Sequence, residues 1–386
     1  MASVLRGDNS RVGFVELFFD LVFVFAVTQV SHRMLHHLSW QGTLETGLVF
    51  FAVWWVWIYT TWVMNRLDPE DMRVRGLLFA MMVAGLFLSM AIPEAFGSRG
   101  LVFAGAYVAM QLGRSLAMLA WGRADPLLRG SYIRISLWMV LSGVFWIGGA
   151  LASPEARLEI WALALAIEYL GPIVSFWVPG LGQDRSTNWA VRGAHMAERA
   201  GLFVIIALGE TLLISGATFA DMEWDAAGLL AFLACVLATI AMWWICFHIG
   251  HQRGSHQIEH ASDPGRIARI AFTYAHIPIV AGIVLSAVGA ELAIAHPEHH
   301  AGLAEALVIA SGTILFLLGN GWFKRLSARW FPLSHLVGLA GAVALGAVSP
   351  LLPLWGLTLA TAALLSVVAV WEHRSLHGRA EAAALS

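Results

Sequence analysis

The sequence predicts an all-α polytopic membrane protein, with about twelve transmembrane helices arranged as two parallel six-helix repeats. Three observations predict it. The 386 residues are 59% hydrophobic and only 12% charged, where a soluble domain carries roughly a quarter charged residues. Apolar runs of bilayer-spanning length recur along the whole chain. Lys and Arg then fall almost entirely on one side of the spans those runs define.

About twenty residues cross a bilayer as a helix. Windows of that length lie at 12–32, 43–64, 74–96, 101–122, 132–152, 157–178, 200–220, 226–249, 267–292, 302–322, 332–349 and 351–371. Turn residues mark several boundaries, as in "SPEARLE" and "VSPLLP". The opening "MASVLRGDNS" is short and polar and has no signal-peptide pattern. Of 23 Lys and Arg, nineteen fall at the N-terminus, in every second loop or at the C-terminus, and only Arg33, Arg99 and Arg157 fall on the other side. Arg114 lies inside the fourth span. The positive-inside rule then expects both termini in the cytoplasm.

The two halves align. Asp20 in "ELFFDLVF" matches Glu210 in "VIIALGETLL"; the following spans carry "AVWWVWIY" and "IAMWWICF". Trp54 follows Asp20 by 34 residues and Trp243 follows Glu210 by 33. The third spans open "EDMRVRGLLFA" and "DPGRIARIAFT"; the fourth carry "QLGRS" and "LLGNG". This order and spacing predict repeats at 1–178 and 200–386, joined by a cytoplasmic linker at 179–199. Six spans is an even number, so the repeats should share one orientation.

Ionisable groups inside a membrane are costly and face an interior or a wet path. The candidates are Glu16, Asp20, Arg114, Glu168 and Glu210. Glu16 and Asp20 lie about 40° apart on one helix face, with Ser31 near the same line. Four acids oppose one Arg inside the spans. One reading pairs Arg114 with an acid as a structural lock and leaves the others neutral. Another makes Asp20 and Glu210 the lining of a cation or proton path, shaped by Glu16 and Glu168, with Arg114 as counter-ion. A polar substrate site is the third.

Weaker signals have plainer defaults. His248, His276 and His335 read as hydrogen-bonded packing residues, with a proton relay as the alternative. Trp54–Trp55 and Trp243–Trp244 read as packing or interface anchors. Pro93–Glu94 and "EYLGP" around Glu168 suggest helix kinks or interruptions. Histidines cluster at His32, His36 and His37, at His296, His299 and His300, and at His248, His251, His256 and His260. No cysteine or carboxylate set completes a metal site, so solvated loops are the default. Cys235 and Cys246 lie in one apolar run and read as small apolar side chains. The net charge of −2 offers no basic surface for nucleic acid. No Walker A, G-x-S-x-G, H-E-x-x-H or glycine-rich dinucleotide loop occurs. Neither a cofactor nor a catalytic residue is therefore expected.

Two segments carry a family resemblance. "VELFFDLVFVFAVTQVSH" and "HMAERAGLFVIIALGETLL" (195–213) resemble the bacterial low temperature requirement protein A family, LtrA, over the full length of the chain. The resemblance implies an integral membrane protein associated with growth in the cold. It singles out Glu16, Phe18, Phe19, Asp20, His195, Glu198, Arg199, Gly209 and Glu210. Arg199 and Glu210 are eleven residues apart, three turns and roughly 16 Å along one face, which would set Arg199 at the cytoplasmic mouth below Glu210. His195, Glu198, Arg199 and Arg114 are then candidates for counter-ion or gate. The first helix also distantly resembles that of lysosomal-type potassium channels, with Phe19 in place of a serine.

The function expected is a transporter or channel for a small ion or solute, cationic or proton-coupled, using membrane-embedded carboxylates. The alternatives are an intramembrane lipid-handling enzyme and a non-transporting membrane protein supporting cold or stress adaptation. Expected partners are membrane lipids, the small ion or solute, and further copies of the chain as a homo-oligomer.

Overall fold

The computed structural model describes residues 4–6, 11–122, 125–184, 191–248, 263–328 and 330–384, and of 327–328 and 376–384 the backbone alone. His251, His256 and His260 and residues 185–190 of the expected linker lie outside the described residues. The chain is 83% helix, with no strands among the described residues. Twelve long helices follow the order of the apolar windows: α1 (Phe14–His36), α2 (Trp40–Met64), α3 (Met72–Ala91), α4 (Gly100–Trp121), α5 (Pro126–Leu151), α6 (Pro154–Ile173), α7 (Gly193–Ala220), α8 (Ala226–Phe247), α9 (Pro264–Ala295), α10 (Leu303–Ala328), α11 (Leu333–Val348) and α12 (Leu354–Ala384).

Eleven of these are long and apolar enough to cross a membrane. Against the expectation of about twelve, one helix falls outside that measure. Helix α6 forms where a span was expected, but its twenty residues carry Glu155, Arg157, Glu159 and Glu168. The expected linker is also shorter than its sequence suggests, because α7 is already helical from Gly193.

Local chemistry sets the helix ends. Ser39, Asp71, Asp125 and Asp225 each cap a helix by accepting a backbone N–H of its first turn. Pro126 and Pro154 sit at first helical positions, where a missing N–H costs nothing. A 3₁₀ turn, Ile92–Glu94, ends α3 at Pro93. Within α9 a π-helical turn spans Arg269–Tyr274. His276 Nδ1 is 2.8 Å from the Ala271 carbonyl beside that turn, a packing role.

The chain divides into two compact units, 1–199 with 262–266 and 200–261 with 267–386. In the first, α1 packs on α2 and α3, α4 on α3 and α5, α5 on α6, and α2 on α4 and α6. In the second, α9 packs on α8 and α10, α11 on α10 and α12, and α12 on α8 and α9. The first seven residues of α7 belong to the first unit and the remainder to the second.

The aromatic pairs aligned in the two halves differ in surroundings. Trp54 and Trp55 are buried, whereas Trp243 and Trp244 are 45% and 37% exposed.

Candidate functional site

Helix α1 starts at Gly13, which is extended (φ −81°, ψ 150°). A Cβ on Gly13 would come within 2.8 Å of the Pro69 ring, so the chain approaches too closely there for any side chain. Glu16, at the third helical position, accepts the Gly13 N–H at 3.0 Å, as in a capping box. Asp20 follows one turn later on the same face. Both are buried, at 0% and 1% exposure.

Three helices of the first unit each present groups at four-residue spacing. Helix α1 supplies Glu16 and Asp20, α7 supplies His195 and Arg199, and α2 supplies Trp57, Thr61 and Asn65. Such residues share one helix face, so the groups meet as a ladder. On the lower rung, His195 Nε2 lies 2.9 Å from Glu16 Oε2. Asn65 Nδ2 reaches His195 Nδ1 at 3.3 Å. On the upper rung, Arg199 Nη2 donates to Asp20 Oδ1 at 2.8 Å, and Trp57 Nε1 donates to the same oxygen at 2.9 Å. Arg199 joins the rungs, since its Nη1 lies 3.3 Å from Glu16 Oε2. Its Nη2 also reaches Thr61 Oγ1 at 3.4 Å, and its guanidinium carbon sits 5.8 Å from the Trp57 ring centre.

The other oxygen of Glu16 is held from the N-terminal segment. Arg6 Nη2 donates to Glu16 Oε1 at 2.6 Å while its Nε donates to the Leu67 carbonyl. Arg192 fastens that segment, donating to the carbonyls of Asn65 and Arg6 at 2.6 and 2.7 Å. Asn65 replies with a pair to Arg192: its Oδ1 accepts the backbone N–H at 3.1 Å and its Nδ2 donates to the carbonyl at 3.0 Å.

Two carboxylates and two guanidiniums therefore share one buried site. His195 adds no charge in this arrangement. An Nε2–H toward Glu16 and a bare Nδ1 toward the Asn65 amide is the neutral tautomer. Balance matters here, because a lone charge removed from water costs several kcal/mol or more. Glu16 has partners on both oxygens. Asp20 does not: its Oδ2 and the Nε of Arg199 are buried with no hydrogen-bond partner among the described residues. One unfilled acceptor and one unfilled donor thus belong to the same ion pair.

A second buried network lies between α2, α4, α5 and α6. Glu168 accepts from Tyr107 at 2.5 Å, Gln111 at 2.7 Å, Ser142 at 2.8 Å and Trp146 at 2.9 Å. Those four neutral donors fill its lone-pair sites. Arg114 donates to Gln111 Oε1, to Thr60 Oγ1 at 2.9 Å and to the Val56 carbonyl at 3.2 Å. It forms no ion pair among the described residues. The expected contact of Arg114 with an acid is thus replaced by a relay in which the Gln111 amide separates Arg114 from Glu168.

The structure brings Glu16, Asp20, His195 and Arg199 together. It leaves Glu168 and Arg114 in their own network. Glu198 is exposed and accepts the Val12 N–H at 3.2 Å. Glu210 is 4% exposed in the second unit. Arg199 is 0% exposed between two acids.

The count of four acids against one Arg is corrected. Arg6, Arg199 and Lys324 are buried cations, all assigned from sequence to the watery side. Lys324 pairs with Glu372 at 2.6 Å and donates to the Ile245 carbonyl in the second unit. Sequence reading also passed over Trp57, Thr61 and Asn65, although "WIYTTWVMN" carries them at four-residue spacing. His335 packs as expected, with Nε2 2.9 Å from Asn320 Oδ1.

Known proteins set this architecture in context. Residues 11–370 match the family described as bacterial low temperature requirement A protein (LtrA). An uncharacterized protein of Rhizobium meliloti (strain 1021) is 44% identical over 381 residues, covering 97% of this chain and 92% of the relative. No solved structure matches. A chain of many apolar spanning helices, matched along nearly its whole length, is a multi-pass membrane protein of the bacterial low temperature requirement A family.

Proposed function

We propose that the chain is a transporter or channel for a small cation, or for a solute coupled to protons, and that the Asp20–Arg199 pair is its working element. One observation carries the reading. In a buried site where Glu16 and His195 are bonded on every side, Asp20 and Arg199 touch through a single oxygen and leave Oδ2 and Nε open. A proton or cation arriving at Oδ2 would loosen Arg199 without disturbing Glu16. Glu16, His195 and Asn65 then act as the fixed frame and Arg199 as the movable charge. Glu168 is a scaffold in this account, because its four donors leave it no free lone pair.

The lipid-handling alternative needs an acid–base pair open to a headgroup. The Glu16–His195 pair is 0% exposed on both sides, which disfavours it.

The repeat belongs to the same proposal. Its support is the sequence alignment together with matching neighbours: α3–α4, α4–α5, α5–α6 and α2–α6 in the first unit correspond to α9–α10, α10–α11, α11–α12 and α8–α12 in the second. Helix α9 also packs on α8, whereas its counterpart α3 packs on α1. The Lys and Arg distribution supports an inner-membrane location with cytoplasmic termini.

The test is flux through proteoliposomes of purified protein, screening H⁺, Na⁺, K⁺ and divalent cations. A flux seen in wild type and lost in Asp20→Asn supports the reading; equal flux in both rejects the role of Asp20.

A further inference from the structure

A groove of about 620 Å³ runs between α2 and α6 of the first unit. It takes residues 43–51 of α2 and 158–169 of α6, about 12 and 16 Å of helix. That is about half of the roughly 30 Å hydrocarbon core, the depth of one leaflet. Small side chains open the groove. A Cβ on Gly47 would meet nothing within 4 Å, and Ala162 and Ala166 line the α6 side. Tyr169 closes the C-terminal end. Its hydroxyl donates to the Phe51 carbonyl at 3.0 Å, and its ring stacks on Trp55 with centroids 3.9 Å apart.

The polarity of the groove changes along its length. Thr43 and Glu159 lie toward the N-terminal ends of the two helices. Beyond Glu159 the exposed face of α6 is Ala162, Leu163, Ala166 and Leu170, all apolar. The charges that set α6 apart from the other spans are thus sorted. Arg157 and Glu168 are buried in the protein, while Glu155 and Glu159 stay exposed at one end. An apolar trough one leaflet deep with a polar mouth matches a lipid. A helix from a second copy matches it less well. Spread over its length, the groove has a section of about 45 Å², against roughly 80 Å² for a helix about 10 Å across.

Charge decides the headgroup. Glu159 forms no ion pair among the described residues, and Glu155 lies one turn before it on the same face. No Lys, Arg or His lines the groove. The neighbouring cations are already engaged. Arg157 donates to the carbonyls of Ala95, Gly97, Gly149 and Ala150, and Arg33 pairs with Glu45. An anionic headgroup would face two acids with no cation beside them. An ammonium headgroup would be matched.

We propose that the α2–α6 groove binds one phospholipid with an ammonium headgroup, its hydrocarbon along the groove and its ammonium at Glu159. The site shares no residue with the Asp20–Arg199 pair and is independent of the transport reading.

The experiment is native mass spectrometry of purified full-length protein, delipidated in detergent and titrated with dioleoyl phosphatidylethanolamine or dioleoyl phosphatidylglycerol. The expected result is a saturable first lipid, bound about fivefold more tightly as the ethanolamine form, the upper end for an exposed ion pair. Glu159→Gln should make the two lipids equal. Ala162→Phe, which fills the groove from an exposed position, should remove the saturable lipid. Val144→Phe, on an exposed position of α5 outside the groove, should leave it unchanged. Equal affinity for both lipids in wild type overturns the proposal. So does a preference that survives Glu159→Gln, or a first lipid indifferent to Ala162→Phe. A dimer that Ala162→Phe dissociates while lipid binding persists also overturns it, by assigning the groove to a second copy. If Ala162→Phe fails to fold, Gly47→Leu blocks the same space from α2, and the same loss or persistence of the first lipid decides.

Discussion

His195 bridges Glu16 and Asn65, with Nε2 2.9 Å from the Glu16 carboxylate and Nδ1 3.3 Å from the Asn65 amide nitrogen. Because that amide nitrogen can only donate, Nδ1 must accept, and the imidazole is neutral with its proton on Nε2. The fixed half of the site is therefore a hydrogen-bonded frame between α1, α2 and α7.

Asn65→Leu removes the donor to Nδ1 and the partners of the Arg192 backbone. Buried groups left unpaired cost about 1–3 kcal/mol each, so unfolding should shift down by several degrees. Thermal unfolding in detergent reads this, and an unchanged midpoint would remove Asn65 from the frame.

Arg199→Met leaves Asp20 without its cationic partner, while Glu16 keeps Arg6. Breaking a buried ion pair by deleting one partner costs about 3–5 kcal/mol. Adding Asp20→Asn should recover part of that loss, since the two residues share a bond. A double-mutant cycle by denaturant unfolding should give a coupling of about 0.5–3 kcal/mol. Strict additivity would mean that the pair does not interact in the folded protein.

Gln111→Leu takes away the amide that joins Arg114 to Glu168. Both charges then lose a buried hydrogen bond to a neutral partner, at about 1.5–3 kcal/mol for each bond to a charged group. Glu168→Gln, by contrast, keeps acceptor capacity on one oxygen and should cost less. The order of the two unfolding midpoints checks the relay, and a milder loss in Gln111→Leu would contradict it.

Asp71 precedes α3, outside the spans. Its side chain accepts from the Arg73 backbone N–H at 2.8 Å and from the Arg73 guanidinium at 2.6 and 3.0 Å. The Arg73 side chain, first, and then its backbone N–H pull the carboxyl down from its ordinary 3.8 to about 2. A depressed carboxyl stabilises the helix start above the ordinary value, and that contribution is lost as pH falls through about 2. Protection from hydrogen exchange at Val74 and Arg75, relative to the intrinsic rate at each pH, should fall between pH 4 and pH 2 in wild type more than in Asp71→Asn. An equal fall in both would show that the cap does not titrate in this way.

Much of the fold is legible in the sequence because bilayer thickness fixes helix length. All twelve helices appear at the expected windows, including the closely spaced α11 and α12. Helix α6 shows the limit: apolarity places a helix, but Arg157 and Glu168 serve packing networks inside the protein. The site is half legible. Glu16 and Asp20 stand out as polar residues one turn apart on an apolar helix. The family motif singles out His195 and Arg199, but not their pairing with Glu16 and Asp20, because a salt bridge between residues 179 apart leaves no periodic trace. Arg6 is hidden by a polar segment with no helical period. The spacing of Trp57, Thr61 and Asn65 was visible, but an aromatic run masked it.

The central claim is that Asp20 carries the working charge while Glu168 is scaffold. Ion flux into proteoliposomes, measured in parallel for wild type, Asp20→Asn and Glu168→Gln at matched folded protein, tests it most directly. The account predicts flux in wild type and Glu168→Gln and none in Asp20→Asn. Flux that persists in Asp20→Asn, or that disappears equally in both variants, would contradict it.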